Sequence, residues 1–369
     1  MAIQPLKTSS RIKSIDALRG FDMFFIIGGE KILESLAKIW PGPVTAQIAH
    51  QLKHVGWDGF HFEDLILPLF LFLMGIVLPL SMSRRLTQTS SRRKIYRHIL
   101  IRAITLIILG WMLRGLLNFD WQQMNWTSVL GRIGFCYALA AMLVLNTNWR
   151  TQAWIMVIIL ISYYAAMKII PVPGYGAGDL SRAGNLARYM DNLILPAGKA
   201  FRFKDSSVSI LGTLLATCSV LMGVMAGHWL NSGRTAPDKA KGLLMAGIAC
   251  LVAGALWNFS FPINKKLWTS SFVLFSGGWN LSLMALFYWI IDVKKYENWC
   301  FFFVVIGCNA LAIYFFQAVI NFSEIAEFFV RGIILDAAIL DILILAIATL
   351  TVKWLLLYFL FKKKIFIKV

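Results

Sequence analysis

Titratable side chains are concentrated in one short segment, residues 50–64. Three of the five histidines lie here with three carboxylates: His50, His54, His61, Asp58, Glu63 and Asp64. A histidine titrates near neutral pH, and an adjacent carboxylate fixes its tautomer and strengthens it as a base. We therefore expect a histidine of this segment to act as a general base, with Asp58 or Asp64 as the carboxylate that orients it.

A zinc site is a second interpretation of this segment. His50 and His54 lie four residues apart and would share one face of a helix. Gly56 and Gly59 interrupt the segment, however, and its histidines follow no recognised ligand spacing. The spacing therefore favours acid–base chemistry without a metal. An interfacial histidine with no catalytic role is the remaining alternative.

The elements that must position these side chains are predicted to be membrane-spanning helices. The 369 residues are 59% hydrophobic and 15% charged, whereas a soluble domain has about 25% charged residues. Apolar runs of about 20 residues, the length that spans a bilayer core, recur along the chain. We expect an all-α, polytopic integral membrane protein. Its ten spans are predicted at residues 15–38, 64–83, 98–118, 127–146, 151–170, 209–230, 241–260, 270–292, 299–320 and 333–361.

The net charge of +18 lies mostly in short loops between the apolar runs, so we expect no nucleic-acid partner. The largest basic cluster runs from Arg84 to Arg97, and a basic tail closes the chain. The positive-inside rule then predicts that both termini are cytoplasmic. The extracytoplasmic face is predicted to consist of three loops, residues 39–63, 171–208 and 261–269. Since no internal repeat or appended soluble segment is evident, residues 1–369 are predicted to form one membrane domain.

Polar side chains inside spans are costly and are functional candidates by default. Asp16 and Arg19 lie three residues apart, so they can pair on one helix face. Arg132 is expected to be a buried arginine within the fourth span. Asn309 and Gln317 lie eight residues apart on one face of the ninth span and can form hydrogen bonds between helices. A structural role in helix packing is the alternative for each of them.

Short motifs occur in order along nearly the whole chain. They are Ser14-Ile-Asp16-Ala-Leu-Arg19-Gly20-Phe-Asp22, His54-x-x-Trp57-x-Gly59, Asp64-Leu-Ile-x-Pro68, Leu130-x-Arg132-Ile-x-x-Cys136-Tyr137, Leu211-Gly212-Thr213, Pro262-Ile-Asn264-Lys265-x-Leu-Trp268 and Gly307-x-Asn309-x-x-x-x-Tyr314. Together they resemble the heparan-α-glucosaminide N-acetyltransferase family, as a bacterial member. The blocks that begin at His54 and Pro262 are the specific parts of this resemblance.

The resemblance implies a transmembrane acetyltransferase that takes acetyl-CoA from the cytosol and acetylates a glucosamine amine on the far side of the membrane. It implies that His54 is the catalytic histidine, and we assign Asp64 as its orienting partner. A family asparagine aligns near Ile27, whose side chain is apolar, and Glu30 beside it is the alternative second catalytic group.

The same resemblance divides the other candidate residues between two ligands. Trp57 is expected to serve as a platform for a sugar ring. The remaining residues assigned to the acceptor are Asp16, Asp58, Asn264, Lys265 and Trp268. Those assigned to the polyanionic acetyl-CoA are Arg19, Arg84, Arg85, Arg132 and Asn309.

Two other functions remain open at this point. A transporter or flippase for sugars or lipid-linked glycans would also suit charged residues in a span and a polar outer loop, although it often shows related halves. O-acetylation of an envelope polysaccharide is an enzymatic alternative with another acceptor. The family resemblance further suggests a homodimer in the bacterial inner membrane, with the active site facing the periplasm.

Overall fold

Long α-helices form almost all of the regular structure, which confirms the all-α class. The computed structural model describes residues 12–88, 91–119, 127–195, 209–332 and 338–367. The helices before residue 200 are α1 (Lys13–Phe24), α2 (Glu30–Ile39), α3 (Pro43–Gln51), α4 (Ile66–Gln88), α5 (Arg92–Met112), α6 (Val129–Asn146), α7 (Trp149–Ile169) and α8 (Leu186–Ile194). Those after it are α9 (Ile210–Leu230), α10 (Ala236–Trp257), α11 (Ser270–Phe287), α12 (Phe301–Cys308), α13 (Ala310–Val319), α14 (Phe322–Val330) and α15 (Ala338–Lys362).

Eight of the described helices are long and apolar enough to cross a membrane, and the bent pair of α12 and α13 would make nine. The chain is therefore a polytopic membrane protein. The first expected span, residues 15–38, is not one continuous helix. A π-helical turn over Phe25–Gly29 separates α1 from α2. Gly28 lies in this turn with a φ of 144°, a conformation that only glycine adopts readily.

Contacts between residues divide the described chain into two compact units. The first unit comprises residues 56–60 and 67–282. The second comprises residues 12–55, 61–66 and 283–367. A single membrane domain over residues 1–369 stays a prediction.

Two glycines bring α4 and α9 of the first unit into backbone contact. A Cβ atom on Gly75 would lie 2.0 Å from the carbonyl oxygen of Val220. A Cβ atom on Gly223 would lie 2.0 Å from the carbonyl oxygen of Phe72. Small residues allow such close approach between membrane helices, where packing rather than the hydrophobic effect holds the helices together.

The predicted outer loop 171–208 also belongs to the first unit. Its described part contains an antiparallel pair of short strands, β1 (Pro171–Val172) and β2 (Gly176–Ala177), followed by α8. Residues 196–208 of this loop lie outside the described residues. The described part therefore has regular structure of its own and is not an extended linker.

Helices α1 and α12 of the second unit meet in the same way as α4 and α9. A Cβ atom on Gly307 would lie 2.0 Å from the carbonyl oxygen of Asp16. Gly20 faces the backbone of Phe303 still more closely. This contact fixes the part of α1 that carries Asp16 and Arg19.

Candidate active site

His54 and Asp64 form a hydrogen-bonded pair in the second unit. Nδ1 of His54 lies 3.0 Å from Oδ1 of Asp64, and because a carboxylate can only accept, Nδ1 is the donor. Asp64 is buried, whereas the side chain of His54 is 57% exposed. The structure thus selects Asp64 over Asp58 as the partner of His54.

The loop that carries this pair is folded back on itself by several short-range hydrogen bonds. Oδ2 of Asp64 accepts from the backbone N–H groups of Val55 at 3.3 Å and His61 at 3.2 Å. His61 donates through Nδ1 to the carbonyl oxygen of Lys53. The side-chain oxygen of Gln51, at the end of α3, accepts from the N–H of Phe62 at 3.0 Å. These bonds hold the Asp64 carboxylate at the position where it can orient the imidazole.

Glu30 begins α2 directly after the break at Gly28. Its carboxylate interacts electrostatically with His54, which lies in the same unit. The side chain of Ile27 is completely buried, so it takes no part in polar chemistry. The structure therefore brings one expected second group, Glu30, into electrostatic range of the histidine.

The backbone of Ile27 has a partner that the sequence analysis missed. Nζ of Lys353 donates to the carbonyl oxygen of Ile27 at 2.7 Å and to Oε1 of Gln317 at 3.2 Å. Lys353 is the only lysine in the apolar run from residue 340 to residue 361. An ionisable side chain in a span is a functional candidate by default, and this signal was sufficient to find Lys353.

Asp16 and Arg19 are paired, as their spacing predicts. Nη1 of Arg19 lies 3.4 Å from Oδ1 of Asp16 on α1. Asp22, one turn further along, is completely buried, and no described residue forms a hydrogen bond with either of its carboxylate oxygens. It interacts electrostatically with Glu63 and Arg19. Arg19 therefore interacts electrostatically with both Asp16 and Asp22 near the start of the second unit.

Asn309 lies at the junction between α12 and α13, where the helix axis bends by 61°. Its Nδ2 donates to the carbonyl oxygen of Ile365 at 3.1 Å, and its Oδ1 accepts from the N–H of Ile367 at 2.9 Å. Gln317, eight residues on, bonds to Lys353. Both amides form the expected hydrogen bonds outside their own helix, while the role of Asn309 toward acetyl-CoA stays a prediction.

In the first unit, Asp58 and Asn264 hold two predicted outer loops together. Nδ2 of Asn264 donates to Oδ1 of Asp58 at 3.0 Å, and the N–H of Gly59 donates to the carbonyl oxygen of Ile263 at 2.8 Å. Oδ1 of Asn264 also accepts from the N–H of Leu267 at 2.9 Å. Asn264 is completely buried. Its amide therefore fixes the orientation of the Asp58 carboxylate.

Trp57 is held beside the described part of the loop 171–208. Its Nε1 donates to the carbonyl oxygen of Leu180 at 3.0 Å. The guanidinium carbon of Arg182 lies 5.5 Å from the centre of its ring, within the range of a cation–π contact. Trp57 and Arg182 together form a cationic aromatic surface.

Trp268 and Arg132 lie in the core of the first unit. Trp268 is completely buried and its Nε1 donates to Oγ of Ser219 at 3.2 Å. The guanidinium carbon of Arg132 lies 4.6 Å from the Trp268 ring centre, and Nε of Arg132 donates to Oγ1 of Thr213 at 3.3 Å. These contacts place both residues in helix packing, and their predicted roles toward ligands stay predictions. The predicted role of Lys265 toward the acceptor also stays a prediction.

Asp191 is a buried carboxylate that the sequence analysis did not single out. It lies on α8, and its Oδ1 accepts from the N–H of Ile210 at 2.9 Å. Burial raises the pKa of Asp191 to about 6, although this hydrogen bond and the charge of Arg132 favour the ionised form. Its titration therefore falls near neutral pH.

Arg84 and Arg85 lie at the end of α4, and Arg92 and Arg93 lie at the start of α5. Arg84, Arg92 and Arg93 are exposed, and Arg85 is partly exposed. All four belong to the first unit. The four side chains form a basic cluster, and the predicted role of Arg84 and Arg85 toward acetyl-CoA stays a prediction.

No group of three or more His, Cys, Asp or Glu side chains is placed to hold a metal ion within the described ranges. The five cysteines are buried or partly buried and are not in disulfides.

Comparisons with known proteins agree with the resemblance in the motifs. Residues 11–114, which include His54 and Asp64, match the model of a domain of unknown function, DUF5009. The chain is 25% identical to heparan-alpha-glucosaminide N-acetyltransferase of Mus musculus over an alignment 371 positions long. This alignment covers 83% of this chain and 53% of the mouse protein. The Homo sapiens protein of that name is 25% identical over 365 residues, covering 82% and 52%. The chain is a distant relative of these proteins and spans about half their length.

Proposed function

We propose that this chain is a membrane acetyltransferase that moves acetyl from acetyl-CoA to the amine of a glucosamine-type sugar. The observation that carries the proposal is the hydrogen bond between His54 and the buried Asp64. The distant relatives of this chain are named as N-acetyltransferases, which supports the proposal. Acyl transfer to an amine requires a base near neutral pH, and a histidine oriented by a carboxylate provides one.

In direct transfer, the neutral amine of the acceptor attacks the thioester carbonyl carbon and forms a C–N bond. The C–S bond breaks, and CoA leaves as the thiolate. Nε2 of His54 takes the proton from the amine, since Nδ1 donates to Asp64. In the alternative order, Nε2 of His54 attacks the thioester carbonyl carbon first, the C–S bond breaks and CoA leaves as the thiolate. The acceptor amine then attacks the acetyl carbon, the bond to Nε2 breaks, and the freed Nε2 takes the proton from the amine.

The role we assign to Asp64 follows from its burial and its three acceptor contacts. It holds His54 in the tautomer with the proton on Nδ1, so that Nε2 faces the proton to be removed. It also stabilises the imidazolium that forms when His54 has taken a proton. A buried carboxylate with fixed geometry does this with little reorganisation.

Glu30 is the second group we propose for this site. Its negative charge interacts with His54 and would stabilise the same imidazolium. Because the side chain of Ile27 is apolar and buried, we assign this role to Glu30, the carboxylate at the start of α2. In this proposal Asp64 orients the imidazole of His54, and Glu30 stabilises its positive charge.

The two ligands are proposed to bind to different residues. The cluster of Arg84, Arg85, Arg92 and Arg93 in the first unit would hold the phosphates of acetyl-CoA on the cytoplasmic side, and Arg19 in the second unit is a separate candidate for contact with acetyl-CoA. Trp57 and Asp58 would contact the sugar, because an indole face supports a sugar ring and a carboxylate accepts hydroxyl or ammonium protons. The site would face the periplasm of a bacterial inner membrane, and a homodimer is part of the proposal.

The test is acetyl transfer by the purified protein in sealed proteoliposomes. Acetyl-CoA on one side and glucosamine on the other should yield N-acetylglucosamine, detected by mass spectrometry. His54→Ala should abolish product while the protein keeps its unfolding temperature. His50→Ala, a control on the same loop, should retain turnover. Unchanged turnover of His54→Ala would overturn the assignment.

The same assay separates the alternatives. A transporter or flippase would move the sugar across the bilayer with no acetyl-CoA consumed. An O-acetyltransferase would yield an ester that hydroxylamine cleaves, whereas the proposed amide resists it. Either result would replace the proposed function.

A further inference from the structure

A cavity of about 370 Å³ lies in the second unit beside Lys353. Cavities of about 300 Å³ and more are the usual size for small-ligand sites. Its polar lining residues come from α2, α13, α14 and α15 and from the segment that joins α13 to α14: Lys31, Gln317, Asn321, Ser323, Thr349 and Lys353. No acidic residue is among the described residues that line it.

The deepest charged group of this cavity is the ammonium of Lys353, which is only 9% exposed. Its described contacts are the carbonyl oxygen of Ile27, the amide oxygen of Gln317 and, at 5.8 Å, the ring of Phe322. All three are neutral. Because a buried ammonium without a negative partner is costly, the charge of Lys353 remains uncompensated by these contacts.

Lys31 adds a second positive charge to the same cavity. The side chain is exposed at the start of α2. Like charges that line one cavity repel each other, and an anion between them would relieve this repulsion. Glu30 interacts electrostatically with Lys31, and Glu324 accepts from Nδ2 of Asn321 at 2.6 Å, but neither carboxylate lines the cavity.

The other lining residues indicate what the anion is attached to. Ser323 and Asn321 offer hydroxyl and amide groups that suit a phosphate or its ester oxygens. Val319 and Ile320, at 66% and 37% exposure, line the cavity at the end of a predicted span. A polar interior beside exposed apolar side chains fits a ligand with a charged head and an apolar remainder.

We propose that this cavity binds a phosphate-bearing group between Lys353 and Lys31. A lysine ammonium is a common point-charge partner for phosphate, and basic pockets between membrane helices bind anionic lipid headgroups. The phosphate can belong to a phospholipid or to a soluble phosphate, since the lysines would recognise both. The proposal does not depend on acetyl transfer.

The experiment uses the full chain in phosphatidylcholine nanodiscs and two probes. Phosphatidylglycerol is added to the lipid mixture, and the lipids retained by the protein are counted by native mass spectrometry. Inorganic phosphate is titrated separately by isothermal calorimetry. The variants are Lys353→Met, Lys31→Gln and, as a matched control, Lys38→Gln, which changes an exposed lysine on the same helix as Lys31 and outside the cavity.

We expect Lys353→Met and Lys31→Gln each to weaken binding by about tenfold or more, the order expected for loss of a charge-assisted hydrogen bond. Lys38→Gln should bind as the parent does. Retention of phosphatidylglycerol without a phosphate signal identifies a lipid site, and a phosphate signal identifies a soluble ligand. If Lys353→Met does not fold, the proposal is tested by the binding measured for Lys31→Gln, which changes an exposed side chain. Equal binding by all variants, or no binding of either probe, would overturn the proposal.

Discussion

Nδ1 of His54 lies 3.0 Å from Oδ1 of Asp64, and the second oxygen of the same carboxylate accepts from the backbone N–H groups of Val55 and His61. The carboxylate is therefore fixed by the loop that it closes. The more exposed imidazole takes its orientation from the buried partner. Asp64 therefore both closes the loop and orients the imidazole of His54.

Asp64→Asn should lower kcat by about one to three orders of magnitude, because an amide can present its NH2 group to Nδ1 and favour the wrong tautomer. The measurement is steady-state acetyl transfer in proteoliposomes. Asp238→Asn, which changes an exposed carboxylate at the start of α10, is the control and should retain activity. Equal kcat for Asp64→Asn and the parent would contradict the orienting role.

Glu30→Gln should lower kcat by about tenfold and leave the KM for acetyl-CoA unchanged, since its charge supports the imidazolium of His54 and does not touch the nucleotide. Glu327→Gln, which changes an exposed carboxylate on α14 of the same unit, is the control and should behave as the parent does. A rise in KM with an unchanged kcat would instead assign Glu30 to ligand binding.

Neutralising Arg84, Arg85, Arg92 and Arg93 to glutamine should raise the KM for acetyl-CoA by about tenfold and change kcat little. These exposed side chains offer charge to the phosphates without contacting the reacting atoms. High salt should raise the KM of the parent and leave that of the variant nearly constant. Lys239→Gln with Lys241→Gln provides a control of other basic residues in the same unit. An unchanged KM would remove the cluster from the binding site.

Much of the fold was predictable because each membrane span is a long apolar run. Loops rich in basic residues separate several of these runs. Residues 64–83, 127–146 and 209–230 correspond closely to the observed helices α4, α6 and α9. The pairing of Asp16 with Arg19 was also predictable, because it depends only on helix geometry. Local periodicity was sufficient in each of these cases.

The interruptions of the helices were not predictable from local patterns. The break after Phe24 leaves the carbonyl oxygen of Ile27 to Lys353, a residue 326 positions away. The bend at Asn309 depends on hydrogen bonds with residues 365 and 367. Residue types and spacing alone left both Asp58 and Asp64 open as the partner of His54; the family resemblance favoured Asp64, and the structure shows its hydrogen bond to His54. Long-range partners decide these features, and an apolar run does not reveal them.

The stability of the first unit should depend on pH through Asp191. Burial raises the pKa of Asp191 to about 6 in the folded state, compared with about 3.9 in an unfolded chain. Below about pH 4 both states are protonated and the group contributes nothing unfavourable. As pH rises from about 4 to 6, the unfolded chain loses its proton first, so the folded state loses up to about 3 kcal/mol of stability.

Asp191→Asn should remove this dependence, because asparagine does not ionise and its side-chain oxygen can still accept from the N–H of Ile210. The measurement is the unfolding temperature of the detergent-solubilised protein between pH 4 and pH 7.5. The unfolding temperature of the variant should rise relative to that of the parent as the pH increases through this range. Asp179→Asn is a control carboxylate in the same predicted loop. Parallel pH profiles for the parent and Asp191→Asn would contradict the prediction.

Gly223→Ala should destabilise the contact between α4 and α9, because its new Cβ would lie 2.0 Å from the carbonyl oxygen of Phe72. Overpacking of this kind costs about 1–3 kcal/mol when the neighbour can shift, and a backbone carbonyl shifts less readily than a side chain. Gly233→Ala is the matched control, since its Cβ would meet no atom within 4 Å. Thermal unfolding in detergent should show a lower midpoint for Gly223→Ala and an unchanged one for Gly233→Ala. Equal midpoints for the two variants would mean that the helices separate easily at this contact.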